Sequence, residues 1–120
     1  MKNKTLVLGA SENPDRYSNM AILKLLGKGK EVVAIGKRAG KVKNVAIETQ
    51  HVNRDDIDTV TLYLNPLHQE PYYDYILSLK PRRIIFNPGA ENEDLERLAI
   101  QAGINTIEAC TLVMLSTGQY

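Results

Sequence analysis

The sequence predicts one α/β domain over residues 1–120, with a mostly parallel sheet of five or six strands and helices on both faces. Short apolar runs rich in valine and isoleucine alternate with stretches that have helical periodicity. The apolar runs are continuous rather than alternating with polar residues, which is typical of strands that are buried on both faces of a parallel sheet.

Each element of this fold has its own local signal. The strands, seen as short apolar runs, are expected at residues 5–8, 31–35, 45–47, 59–64, 83–86 and 106–107. The helices are expected from a cap at Ser18 or Asn19 to Gly27, from Pro71 to Pro81, from Asn92 to Gly103, and at residues 111–115. This order of elements indicates successive βαβ units, and therefore a Rossmann-like domain.

The composition excludes several classes of function. The formal net charge is +1, with 43% hydrophobic and 24% charged residues, so the total charge does not call for nucleic acid or a membrane as partner. Cys110 is the one cysteine, which excludes an internal disulfide and a zinc site of the cysteine type. The short apolar run at the start is too brief for a signal peptide, and we expect a cytoplasmic protein.

Ligands of open parallel sheets bind at the carboxyl ends of the strands, so the loops there are the first place to look for function. Four such loops contain glycine, proline or small polar residues, which allow a ligand to approach the backbone closely. These loops are Gly9–Pro14, Gly36–Arg38, Leu64–Pro66 and Asn87–Ala90.

The first loop has the features of a phosphate site. A strand, a glycine turn and a helix start follow one another, so free amides and the positive end of the helix dipole face the same space. Ser11, Asn13 and Ser18 can add polar contacts, although an ordinary βα turn would contain similar residues. The candidate ligand-binding residues here are Gly9, Ala10, Ser11, Asn13, Arg16, Tyr17 and Ser18.

The second loop indicates a phosphate on a ribose. Gly36 and Lys37 begin a segment with four cations within seven residues and no acid, where an NAD site would have Asp or Glu. The glycine-rich dinucleotide motif is also absent, because Ser11 and Pro14 replace its second and third glycines. NADP and coenzyme A both carry a ribose phosphate, and a solvated basic loop is the remaining alternative.

The sequences of the two later loops indicate turns more clearly than they indicate ligand contacts. Asn65–Pro66 and Asn87–Pro88–Gly89 are turn-forming sequences whose backbone is expected to line the ligand groove. His51 and His68 are the only histidines, and neither stands beside a nucleophile in the sequence. We therefore predict neither catalytic residues nor a metal site.

The motifs resemble the small stand-alone CoA-binding domain proteins, which are similar to the N-terminal CoA-binding domain of the succinyl-CoA synthetase alpha subunit. The matching motifs are Val7–Ser11 with Asn13–Arg16, Gly36–Lys37 with Gly40–Lys41, Asn87–Gly89, and Glu108–Cys110. The resemblance implies that the first loop holds phosphate and that Lys37 lies near the adenosine 3′-phosphate. The catalytic phosphohistidine of the synthetase belongs to a later domain, so no ligase activity is implied.

We therefore expect a module that binds coenzyme A or an acyl-CoA as carrier, sensor or subunit. An NADP-binding enzyme or regulatory nucleotide-binding protein is the first alternative, and an interaction protein that has lost the ligand is the second. The expected partner is a small-molecule nucleotide rather than nucleic acid or a membrane. A homodimer and an acyl-CoA enzyme partner both stay open.

Overall fold

Seven strands form one sheet in residues 2–120, the part of the chain that the computed structural model describes. In chain order the strands are β1 Lys4–Leu8, β2 Glu31–Ile35, β3 Gly40–Val42, β4 Val45–Glu48, β5 Ile57–Leu62, β6 Arg83–Phe86 and β7 Asn105–Glu108. Their order across the sheet is β3-β4-β2-β1-β5-β6-β7. All neighbouring pairs are parallel except β3 and β4. The predicted Rossmann-like class is confirmed.

Helices connect successive parallel strands of the sheet. They are α1 Tyr17–Gly27, α2 Pro66–Gln69, α3 Tyr73–Ser78, α4 Glu93–Gln101 and α5 Thr111–Ser116, with a 3₁₀ turn at Glu70–Tyr72. Asn92 caps α4 as predicted, because its Oδ1 accepts from the amide of Asp94 at 3.0 Å. No helix of residues 2–120 is long and apolar enough to cross a membrane.

The strand order creates a crevice above β1. From β1 the chain first moves to β2 on one side, and β5 then joins β1 on the other side. The loops after β1 and β5 therefore diverge to opposite faces, which leaves room for a ligand at the carboxyl ends of the central strands.

The two faces of the sheet have separate cores. Leu6, Leu62 and Phe86 belong to the core beneath α3 and α4, where every one of them is almost completely buried. Val7 and Ala34 belong to the other core, which packs against α1 and α5. Because side chains alternate along a strand, the continuous apolar run of β1 supplies both cores at once.

Three local predictions were wrong. The sheet has seven strands rather than five or six, because the polar segment after β2 forms β3 and a hairpin with β4. Helix α1 begins at Tyr17, so Ser18 and Asn19 lie inside its first turn instead of capping it. The helical segment before β6 begins at Pro66, and Pro71 marks its 3₁₀ turn because proline has no amide to continue an α-helix.

Candidate functional site

A cavity of about 780 Å³ lies at the carboxyl ends of the central strands. Eleven of the fourteen predicted binding residues line it: Gly9, Ala10, Ser11, Asn13, Arg16, Tyr17, Ser18, Lys37, Asn65, Pro88 and Gly89. Glycines, prolines and short polar side chains make up most of this set, so backbone forms much of the wall. The geometry therefore brings together loops that are up to eighty residues apart in sequence.

Gly9 lets the first loop turn sharply over the sheet. Its φ is +99°, a conformation that disfavours every residue with a side chain. A Cβ at Gly9 would also lie 3.1 Å from the backbone carbon of Tyr63. The amides of Gly9 and Ala10 both donate to the carbonyl of Ile35 at 2.9 Å, which fixes the loop against the end of β2.

Hydrogen bonds between residues that are close in sequence hold the shape of the first loop. The Ser11 hydroxyl accepts from the amide of Asn13 at 3.0 Å, and the Asn13 Oδ1 accepts from the amide of Asp15 at 2.9 Å. Asn19 is buried in α1 and donates from Nδ2 to the carbonyl of Ser11 at 2.9 Å. Sequence reasoning assigned Asn19 to a helix cap and missed this role, because its direction depends on the packing of α1.

The N-terminal end of α1 faces the cavity without compensating groups. Its N-cap, Arg16, makes no side-chain capping bond, and the first turn has no acid, within the part of the chain that the structure describes. Helix α4 differs, because Asn92 caps it and its first turn holds three acids. The amides and dipole of α1 are thus available to an anion at the cavity.

The second loop brings two cations to the same cavity. Lys37 and Arg38 both line it, together with Ala39. Within residues 2–120, neither of these two cations nor Arg16 forms a salt bridge. Gly36 is buried and lies outside the lining, since its space is taken by the carbonyl oxygen of Ala10, only 2.3 Å from an added Cβ.

The later loops shape the floor of the cavity. Asn65 lies on the wall and caps α2, where its Oδ1 accepts from the amide of His68 at 3.1 Å; Pro66 follows it outside the lining. Asn87 is buried beneath Pro88 and also lies outside the lining.

The Asn87 side chain is fully used by the protein. It donates to the Thr61 hydroxyl at 2.7 Å and to the Leu62 carbonyl at 2.9 Å, and its oxygen accepts from the Thr111 amide at 2.8 Å. Asn87 therefore supports the loop after β6 and leaves ligand contacts to the backbone beyond it.

Several lining residues were not among the predicted ones: Glu12, Arg38, Ala39, Tyr63, Leu64 and His68. Tyr63 directly follows β5 in the structure, whereas the predicted strand extended to residue 64 and placed Tyr63 inside it. Burial raises the pKa of Tyr63 to about 12, and the neighbouring hydroxyls of Thr111 and Thr61 oppose part of this rise. The hydroxyls of those two threonines bond to each other at 2.7 Å, and the buried Tyr63 hydroxyl has no partner in residues 2–120.

The side chains of the cavity lining carry more positive than negative charge, which favours an anion. Lys37, Arg38 and Arg16 supply positive charge, and Glu12 is the acid among the described lining residues. His68 is exposed at the cavity, whereas His51 packs against the ring of Tyr72 with centroids 4.5 Å apart. Residues 2–120 contain no cluster of three or more potential metal ligands.

Comparison with known proteins decides the family. A family model described as CoA binding domain matches residues 3–116. The chain belongs to the CoA binding domain family. This confirms the resemblance seen in the loop motifs. No curated protein matches the chain.

Several solved structures are similar to this chain. An uncharacterized protein is 45% identical with a TM-score of 0.96, over 100% of this chain and 99% of that chain. A hypothetical protein from Pyrococcus horikoshii OT3 is 20% identical with a TM-score of 0.87, over 97% and 83%. An acetyl-coenzyme A synthetase from Candidatus Korarchaeum cryptofilum is 18% identical with a TM-score of 0.71, over 90% and 26%. The last two share the fold.

Proposed function

We propose that this domain binds coenzyme A or an acyl-CoA in the 780 Å³ cavity, as a module without chemistry of its own. One observation carries the proposal. In a chain of the CoA binding domain family, unpaired cations and an uncompensated helix N-terminus meet at one cavity. Coenzyme A carries a diphosphate and a ribose phosphate, so it offers negative charge to both features.

The two charged parts of the ligand correspond to two loops. The first loop and the start of α1 offer backbone amides, which suit the diphosphate. Lys37 and Arg38, on the second loop of the same cavity, offer charge-assisted hydrogen bonds, which suit the ribose phosphate. Leu64, Pro88 and Gly89 offer an apolar, backbone-rich wall along which the uncharged pantetheine arm can extend.

Isothermal titration with a set of related nucleotides tests the proposal. We expect coenzyme A and acetyl-CoA to bind with similar affinity, and 3′-dephospho-CoA to bind at least about tenfold more weakly, because one charge-assisted contact is lost. NADP and NAD are the matched competitors. Tighter binding of NADP than of coenzyme A would overturn the assignment of the ligand.

The absence of chemistry has its own test. Acetyl-CoA incubated with the protein should stay intact over hours at the rate seen in buffer, as measured by chromatography. Protein-dependent release of free coenzyme A would contradict a purely binding module.

A further inference from the structure

Glu12 connects the two phosphate-facing loops. It lies in the first loop, yet its Oε2 accepts from the backbone amide of Lys41 at 2.9 Å, 29 residues further along the chain. Its side chain is exposed, so nothing in the packing forces the carboxylate toward β3. The hydrogen bond is therefore a specific contact between the loop after β1 and the strand that ends the loop after β2.

Gly40 makes room for this contact. A Cβ at Gly40 would lie 2.4 Å from the carboxyl carbon of Glu12 and 2.7 Å from its Oε1. The backbone of Gly40 is not in the left-handed region, so its conformation does not itself require glycine. A side chain at position 40 would therefore have to displace the Glu12 carboxylate.

The other end of the second loop is also held by the first loop. An added Cβ at Gly36 would lie 2.3 Å from the carbonyl oxygen of Ala10, so these two backbones touch. Lys37 and Arg38 thus lie between two contacts with the first loop, one at Gly36 and one at Gly40. Where the cations stand relative to the start of α1 depends on both contacts.

We propose that Glu12 is a positioning residue that sets the selectivity of the cavity for a ribose phosphate. Its carboxylate holds the start of β3 and thereby fixes Lys37 and Arg38 at the cavity wall. This rests on the proposed function. The negative charge of Glu12 opposes an anionic ligand, so its benefit comes from the oxygen that accepts the Lys41 amide and not from its charge.

Titration of coenzyme A and 3′-dephospho-CoA into three variants tests this role. Glu12→Ala should weaken coenzyme A roughly three- to tenfold, and 3′-dephospho-CoA less than twofold. Glu12→Gln retains the accepting oxygen and should bind coenzyme A at least as tightly as the unmodified chain. Asp15→Ala is the matched control, because it removes an exposed acid from the same loop without removing the contact.

A double-mutant cycle with Gly40 isolates the contact. Gly40→Ala should displace the carboxylate and reproduce the selective loss seen in Glu12→Ala. The combined variant should bind like either single variant, because both changes break the same interaction. Additive losses would overturn the role of Glu12, and circular dichroism melting curves confirm that each variant is folded.

Failure of this role can be told from failure of the proposed function. If the unmodified chain binds coenzyme A but Glu12→Ala keeps its preference over 3′-dephospho-CoA, Glu12 is not a positioning residue. If the unmodified chain binds neither ligand, the proposed function falls and this role falls with it. Faster amide exchange at Lys41 in Glu12→Ala than in Glu12→Gln, measured without ligand, supports the contact itself.

Discussion

The two ends of the sheet differ in whether their cations are paired with acids. At the amino ends of the strands, Asp56 forms salt bridges with Lys4 at 2.7 Å and with Arg54 at 2.9 Å. At the same end, Arg82 binds Asp58 at 2.9 Å. At the carboxyl ends, the cations of the cavity have no salt bridge in the described part of the chain.

The paired charges stabilise the fold, whereas the unpaired charges are those that we propose bind the ligand. A second cavity, the amino-end cavity, has a volume of about 580 Å³ against about 780 Å³ for the candidate site, so volume alone does not identify a site. It lies beside β2 and β4 and includes Lys4 and Glu31 at the amino ends of β1 and β2. The amino-end cavity contains Lys4, Lys30 and Arg54 together with Glu31 and Glu48, and Lys4 lies 3.6 Å from Glu31. Unpaired like charges repel, and an anion bound between them would relieve this repulsion.

The largest expected effect is at Gly9. Gly9→Val should abolish measurable coenzyme A binding, because the side chain meets Tyr63 and displaces the first loop. Strain at a φ of +99° should also lower the free energy of unfolding by about 2 kcal/mol. Titration calorimetry and urea unfolding measure both effects.

Gly29→Val is the matched control for Gly9→Val. Gly29 also has a positive φ, of +75°, but an added Cβ there meets no atom within 4 Å. This variant should lose stability and keep its affinity. Equal loss of affinity in both variants would mean that strain, not the cavity, explains the result at Gly9.

A smaller but more selective effect is expected at Lys37. Lys37→Ala should weaken coenzyme A roughly 10- to 100-fold and 3′-dephospho-CoA much less, since a charge-assisted contact to the ribose phosphate is lost. Lys28→Ala removes an equally exposed cation outside the cavity lining and should leave both affinities unchanged. A similar loss of affinity for both ligands would show that Lys37 does not contact the ribose phosphate.

The smallest effect on binding is expected at the amino ends. Hydrogen bonds from Arg54 and Lys4 hold the pKa of Asp56 well below its ordinary value. Because the folded pKa is lowered, this pair stabilises the protein above about pH 4 and the contribution is lost as the pH falls further.

Asp56→Asn should therefore lower the free energy of unfolding by about 1 kcal/mol at pH 7 and leave coenzyme A affinity unchanged. The difference from the unmodified chain should shrink as the pH falls below about 4, as followed by urea unfolding. A stability difference that is independent of pH would contradict the ion-pair explanation.

The sequence predicted the central strands, and it predicted that the loops of the candidate site meet at one edge of the sheet, for one physical reason. Continuous apolar runs such as β1 indicate strands buried on both faces, and parallel strands bring their carboxyl ends to one edge. Gly9 and Lys37, which lie on different loops, could therefore be assigned to one cavity before any coordinates. Strand β3 was missed because its three residues, Gly40–Val42, include one large apolar side chain, at Val42.

Side-chain direction was beyond the sequence. Asn87 and Pro88 are neighbours, yet the structure buries the first and exposes the second to the cavity. Gly36, a predicted binding residue, packs on the backbone of Ala10 and lies outside the cavity lining. The contact between Glu12 and Lys41 joins residues 29 positions apart, and neither has a local pattern that indicates it. Such features depend on how loops meet after the sheet has formed.

The most direct test of the difference between the two ends is to map amide chemical shifts in a titration with coenzyme A. We predict that the shifts change at the cavity of the carboxyl ends, in the amides of residues 9–13, 15–18 and 37–41 and of Gly89. The amides of Lys4, Lys30 and Arg54, at the amino-end cavity, should stay unchanged. Changes that concentrate at the amino-end cavity, or shifts spread evenly over the chain, would contradict the account.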